Sequence, residues 1–384
     1  MKFGLSIELS VPRPFAVGAE RRVYQNALEY IALADKLGFD QIWTVEHHFL
    51  EEYSHSSAPE VFMSAAAMLT EQIRLCFGIA VCIPEFQSPV RLAEKAAALD
   101  IISNGRVEVG TGRSGTWNEL GGFGVDLDDS KKTWDEYVRM LPEMWTQERF
   151  SWDGRCFKMP ERAILPKPVQ RPHPPLWVAV SSPGTEIDAA EHGLGALAVS
   201  FGGMAEYEKK VKTYRSIIEQ CEPVGHQVNN QFNAVNFLYC HEDADKAAAV
   251  GKRLAGAFSS AAAQFMDVKE YPTETYLSPG LLAAIRRDVN SPATQGKGPD
   301  GLCCGTPDQI VRALKQWESV GIDRMLFLVN ALETVPQDEL LASMRLFSEE
   351  VMPHFGDGRG QVGGSVLGQQ AADGALAGAT GEGY

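Results

Sequence analysis

The stretch "TVEHHFLEEY", residues 44–53, sets Glu46 beside two adjacent histidines, His47 and His48, at the end of a short apolar run. An imidazole titrates near neutral pH and can move protons, and a neighbouring carboxylate can orient it. A zinc site asks instead for histidines at helical i, i+4 spacing or for further ligands at regular intervals, and neither is present. No metal site is expected. On an extended chain adjacent side chains point to opposite sides, so one His can face a pocket while the other packs behind it. Spacing leaves two readings open, a proton-transfer site and a satisfied structural pair.

A second stretch, "GTGRSG" at 110–115, is a literal GxGxxG that follows a β-rich run. The dinucleotide fingerprint needs such a loop to open a helix at once, with the pyrophosphate at the helix N-terminus. Here Gly121, Gly122 and Gly124 follow and argue against an immediate regular helix. Three strand-helix units also precede the loop, whereas a Rossmann unit leads its domain. The loop can still hold a phosphate through backbone N–H groups and the Arg113 guanidinium, or can be a tight turn with a solvent-facing Arg. In "AVSSPGTEIDAAEHG" (179–193), Ser181, Ser182 and Thr185 surround the start of a helical pattern. Alone they read as a helix cap; beside Arg113 they read as part of one phosphate site.

These residues need a frame that brings strand ends together. Short β-rich runs at 3–9, 41–45, 74–83, 106–112, 175–180, 196–201, 233–240 and 324–329 alternate with helical patterns. In the first helix Tyr24, Ala27, Leu28, Ile31 and Ala34 share one face before Gly38 ends it. Eight near-continuous apolar strands with helices between them predict an α/β fold, a (β/α)8 TIM barrel whose C-terminal strand ends carry the reacting residues. An aromatic, Pro-bounded insertion follows the helix near 131–146. Residues 264–305 break the rhythm and are expected to be a lid-like insertion before the last strand; the Gly/Ala-rich 356–384 is expected to be a disordered tail. Residues 1–355 are thus one expected domain.

Lys and Arg number 35 against 50 Asp and Glu, a formal charge of −15, which argues against general affinity for nucleic acid or an anionic membrane. The N-terminus lacks a signal-peptide pattern and no apolar run reaches membrane-spanning length. The seven Cys are scattered without CxxC spacing, as expected of free thiols in a reducing cytoplasm. Phe86, Trp117, Phe123, Trp152, Phe201 and Phe265 could line a substrate pocket or simply fill the core.

Six stretches, "MKFGLSIEL", "GFDQIWTVEHHF", "SPVRLAEKAAALDIISNGRVEVGTGR", "HGLGALAVSF", "GTPDQIV" and "LLASMRLFSEEVMPHF", run in order to about residue 355. Together they resemble the flavin-dependent monooxygenases of the bacterial luciferase type, nearest to the catalytic alpha-subunit pattern. The resemblance implies a barrel that binds reduced FMN from a separate NAD(P)H:flavin reductase and reacts it with O2, through a C4a-(hydro)peroxyflavin, to oxygenate a small apolar organic substrate. It implies His47 as the residue serving the chemistry, positioned by Glu46 and His48. It also implies cofactor contacts from Gly110, Gly112, Arg113, Ser181, Ser182, Thr185 and Ser200, and a cis peptide at Ile79 to Ala80 beneath the flavin ring. A homodimer through helices near the second and third strands is implied as well. Luciferase's reactive Cys is Gly112 here and its acidic residue before the phosphate-loop Ser is Ser181, so light emission does not follow. An F420-dependent oxidoreductase and a non-catalytic flavin-binding subunit are the rival readings.

Overall fold

The computed structural model describes residues 1–198, 204–266 and 302–356. Eight parallel strands close into a barrel: β1 (Lys2–Ile7), β2 (Gln41–Thr44), β3 (Arg74–Val81), β4 (Val107–Gly112), β7 (Leu176–Ala179), β8 (Gly195–Ala198), β9 (Phe232–Cys240) and β11 (Arg324–Leu328). Pairing of Ala196 with Phe232 and of Lys2 with Arg324 completes the ring. The eight runs read from sequence are these eight strands, and the architecture is the expected (β/α)8 barrel.

The helices pack outside. In α1 (Ala19–Leu37) Ala27, Ile31 and Ala34 are buried, with Tyr24 and Leu28 packed at the margin. The helix ends at Gly38, whose left-handed φ of 85° lets its N–H reach the Ala34 and Asp35 carbonyls. Alternation along the strands separates two apolar layers. Outward residues such as Phe3, Leu5 and Phe77 meet the helices, while Trp43, Cys76, Trp177, Leu197, Val235 and Leu326 fill the barrel interior.

Beneath that interior layer lies a buried polar floor. Glu108 accepts from the Gln41 amide (2.8 Å), from the Trp177 indole (2.6 Å) and from the Arg74 guanidinium. Trp43 in turn donates to Gln41 (2.7 Å), so the polar floor orients both interior tryptophans.

Several expectations change. The insertion after α5 (Leu127–Thr146) is a regular antiparallel hairpin, β5 (Phe150–Asp153) with β6 (Lys158–Arg162). Glu136 of α5 pins its turn by accepting from the Arg155, Cys156 and Phe157 N–H groups. The segment expected to be a lid is shorter than 264–305. Helix α8 (Ala244–Met266) runs into its start, and Cys303–Gly305 forms β10, which pairs with the long β9 at Leu238 to Cys240. The remainder of that segment and the tail beyond Gly356 lie outside the described residues. All seven cysteines are free. Among the described residues no helix is long and apolar enough to cross a membrane, and no cluster of three metal-ligating side chains occurs.

Candidate active site

A cavity of about 310 Å3 opens among the C-terminal strand ends, with Glu46, His47, Ile79, Gly112, Arg113, Ser181, Ser182 and Thr185 in its wall. The ends of four strands, β2, β3, β4 and β7, thus converge as strand direction required.

His47 follows β2 and donates through Nδ1 to Glu119 Oε1 at 3.0 Å. A carboxylate can only accept, so Nδ1 carries the proton and Nε2 is the atom available to the cavity. Glu119 is fully buried and heavily bonded: its Oε1 also accepts from the His48 N–H (3.0 Å), and its Oε2 from the Ser114 (2.7 Å) and Thr116 (2.9 Å) hydroxyls. Burial opposes the charge of His47. The Glu119 charge and hydrogen bond outweigh it, with Glu8 and Glu46 adding to the field, so the pKa of His47 stands above its ordinary value. Glu119, also opposed by burial, is held below the usual carboxylate range by His47 and these donors.

Glu119 was not among the residues singled out from sequence. It sits in α4 (Trp117–Gly122), a six-residue helix where the glycines argued against one. Thr116 caps that helix by accepting from the Glu119 N–H. The Thr116-x-x-Glu119 spacing is a helix-start signature that the sequence did offer.

Glu46 does not orient His47 by contact. Its Oε2 accepts from the Val81 N–H (2.8 Å) and the Gln87 amide (3.0 Å), and its Oε1 lies 3.4 Å from His48 Nε2. It therefore braces the ends of β2 and β3. His48 is absent from the cavity wall; its ring packs against Phe86 and Phe123.

The cis peptide is Gly78–Ile79, one bond earlier than Ile79 to Ala80. The β3–β4 register shifts between Phe77 and Ala80, which leaves Ile79 on the cavity side and Ala80 in the outer core. Ile79 also explains Gly112. A Cβ there would lie 2.7 Å from Ile79 Cδ1, so the isoleucine fills the space that a side chain on β4 would need. Gly110 lies below the cavity, its missing side chain making room for Phe77 O and Trp43.

Next to Gly112 in the cavity wall, Arg113 donates to Ser130 (2.9 Å), and no carboxylate among the described residues forms an ion pair with it. Burial lowers its pKa, only partly offset by Asp188. Lys131, unremarked in the sequence, joins it in the wall and forms an ion pair with Asp188 at 2.8 Å. A half-buried guanidinium that forms no ion pair among the described residues, beside Ser181, Ser182 and Thr185, fits a phosphate monoester. Ser200 lies outside the described residues.

The aromatic wall is not the one considered from sequence. Trp43, Tyr53, Trp134 and Phe258 line the cavity. Phe86 and Phe123 pack against each other, tilted by 34° with ring centroids 4.1 Å apart, Trp152 stacks on Phe150 in the hairpin, and Trp117 packs at the core margin. The side chains of Phe201 and Phe265 lie outside the described residues.

A closed parallel barrel with a largely apolar cavity among its C-terminal strand ends, carrying a His–carboxylate pair and two cations, defines a (β/α)8-barrel protein with a ligand site at its C-terminal face. The chain belongs to the luciferase-like monooxygenase family, whose model matches residues 1–324. It is 23% identical to the oxygenase component of a flavin-dependent trigonelline monooxygenase from Acinetobacter baylyi, over 94% of this chain and 97% of that protein. The monooxygenase RslO1 from Streptomyces bottropensis superposes with a TM-score of 0.75 at 28% identity, covering 92% of this chain and all of that one (100%). An F420-dependent glucose-6-phosphate dehydrogenase from Amycolatopsis mediterranei is 23% identical over 88% of this chain and 97% of its own length.

Proposed function

We propose that the protein is the oxygenase of a two-component flavin-dependent monooxygenase. It would take reduced FMN from a separate NAD(P)H:flavin reductase and place one oxygen atom of O2 into a small apolar substrate, an aldehyde, ketone or aromatic. The observation that carries this reading is the His47–Glu119 pair in the same cavity wall as the Arg113 cation, two functions that a merely structural barrel end does not need. Bound reduced FMN supplies the electrons that activate O2. Arg113, Ser182 and Thr185 hold its phosphate, and Ile79 and Gly112 give the flat wall for its ring. Trp43, Val178, Leu197, Val235 and Leu326 keep water from the reacting atoms. His47 holds or releases a proton at Nε2 while Glu119 fixes the ring and stabilises the imidazolium.

The relative that uses F420 supports a second reading, hydride transfer without oxygen. Supplying the purified protein with FMNH2 or with reduced F420, together with 18O2 and a panel of aldehydes, ketones and aromatics, separates them. One 18O atom in a product with FMNH2 is the expected result; turnover with reduced F420 and no oxygen uptake would sink the proposal. Flavin binding with no turnover on any substrate would favour the silent-subunit reading.

Arg113→Ala is expected to weaken FMN binding about 10- to 100-fold, the range of a charge-assisted hydrogen bond, while riboflavin binding stays near that of the parent. Equilibrium dialysis of both ligands checks this, and an equal loss for riboflavin would remove Arg113 from the phosphate. A homodimer through α2 (Pro59–Leu69) and α3 (Pro89–Ile102) belongs to the same proposal, supported by the exposed Val61, Met68, Leu69, Ile101 and Ile102 on these helices. Light scattering that returned the mass of one chain at micromolar concentration would exclude it.

A further inference from the structure

Glu8 follows β1 and, apart from the field it adds at His47, has no part in the site described so far. Ser6 and Glu8 lie on the inward face of the first strand and enter the wall of the main cavity. Glu8 Oε2 is wholly buried yet has no hydrogen-bond partner among the described residues. Around it stand Tyr53, Phe258 and Leu328, and a small extension of the cavity continues past them to Ala261, Ala331 and Leu332. This end lies across the barrel mouth from Arg113 and Lys131, so an anionic ligand held there leaves the Glu8 end for something else.

An orphaned buried oxygen costs free energy that a ligand can recover by pairing with it. We propose that Glu8 anchors the substrate: it donates a hydrogen bond to the carbonyl oxygen of an otherwise apolar aldehyde or ketone lying between Tyr53, Phe258 and Leu328. This narrows the substrate class of the function proposed above and rests on that reading only for what happens after binding.

The protonation state agrees. Burial pushes the Glu8 carboxyl up to about 7, opposed by the charge of His47. The other titratable groups facing it are Tyr30 of α1 and Tyr53, phenols that burial and the Glu8 charge hold above their ordinary values. Both stay neutral at neutral pH. Below pH 7 Glu8 is therefore an O–H donor, and above it an acceptor that repels a carbonyl oxygen.

The test is equilibrium binding of matched probes to the full chain, with and without oxidised FMN: cyclohexanone, methylenecyclohexane and the cyclohexylammonium ion. The arm without flavin or oxygen makes failure here distinct from failure of the oxygenase reading. Cyclohexanone is expected to bind about tenfold more tightly than the alkene below pH 7, the size of one net hydrogen bond, and to lose that preference above it. Glu8→Gln, which keeps a donor, should retain the preference and remove its pH dependence; Glu8→Leu should abolish it. The C=O stretch of bound 13C-labelled cyclohexanone should fall in the parent and in Glu8→Gln. Equal affinity for ketone and alkene in the parent, or tightest binding of the ammonium ion, would overturn the proposal, and so would a Glu8→Gln protein that behaved as Glu8→Leu.

Discussion

Glu119→Gln is expected to lower turnover about 10²- to 10⁴-fold, the range of a lost general acid or base, although Glu119 acts through its bond to His47. The amide keeps the shape but can present its NH2 to Nδ1, which favours the wrong tautomer, and it removes the charge that offsets the burial of His47. Two measurements check this. The pKa of His47, followed by NMR of the labelled imidazole, should fall in the variant, because desolvation then acts without its opponent. His47→Ala should cost about as much as Glu119→Gln, and the double variant little more, because residues acting as one unit are not additive. An unchanged His47 titration in Glu119→Gln would show that the hydrogen bond does not set its state. Retention of full turnover by His47→Ala with supplied FMNH2 would remove His47 from the chemistry.

The largest loss of stability is expected from Glu108→Ala, at about 3–5 kcal/mol, the cost of stranding a buried cation by removing its partner. Arg74, Gln41 and Trp177 all donate to this carboxylate, and no other acidic side chain among the described residues forms an ion pair with Arg74. The pKa of Arg74, pulled down by burial, is kept above its ordinary value by Glu108, so the deletion leaves an unpaired charge and two unanswered donors. Urea unfolding of the parent and the variant at neutral pH measures the difference. A loss below about 1 kcal/mol would mean that water reaches the floor of the barrel and replaces the carboxylate.

The barrel was legible because its strands are apolar on both faces and its helices amphipathic, a rhythm that survives without alignment. His47 and Arg113 were legible because strand direction places them at one mouth. Glu119 was not, since its contact with His47 spans 72 positions of sequence and its helix is short and glycine-bounded. Glu46 was assigned to the wrong neighbour because proximity in sequence was taken for proximity in space; on an extended strand end its side chain turns toward Val81 and Gln87 instead. Glu8 was missed for a different reason. Alternation in "FGLSIEL" puts Gly4, Ser6 and Glu8 on one face and Phe3, Leu5 and Ile7 on the other, and only the apolar face marks the run as a strand.

The ion pair between Lys131 and Asp188 has a bearing on traffic through the site. On the proposed reading, the flavin phosphate would meet Arg113, which forms no ion pair among the described residues, and Lys131, which already forms one with Asp188. To engage Lys131 the newcomer must displace a tethered carboxylate, which remains within reach and re-forms the pair when the phosphate leaves. Under the function proposed above, the protein would carry its own competitor for the flavin phosphate, which would favour release of a passenger handed over by one protein and surrendered after each cycle.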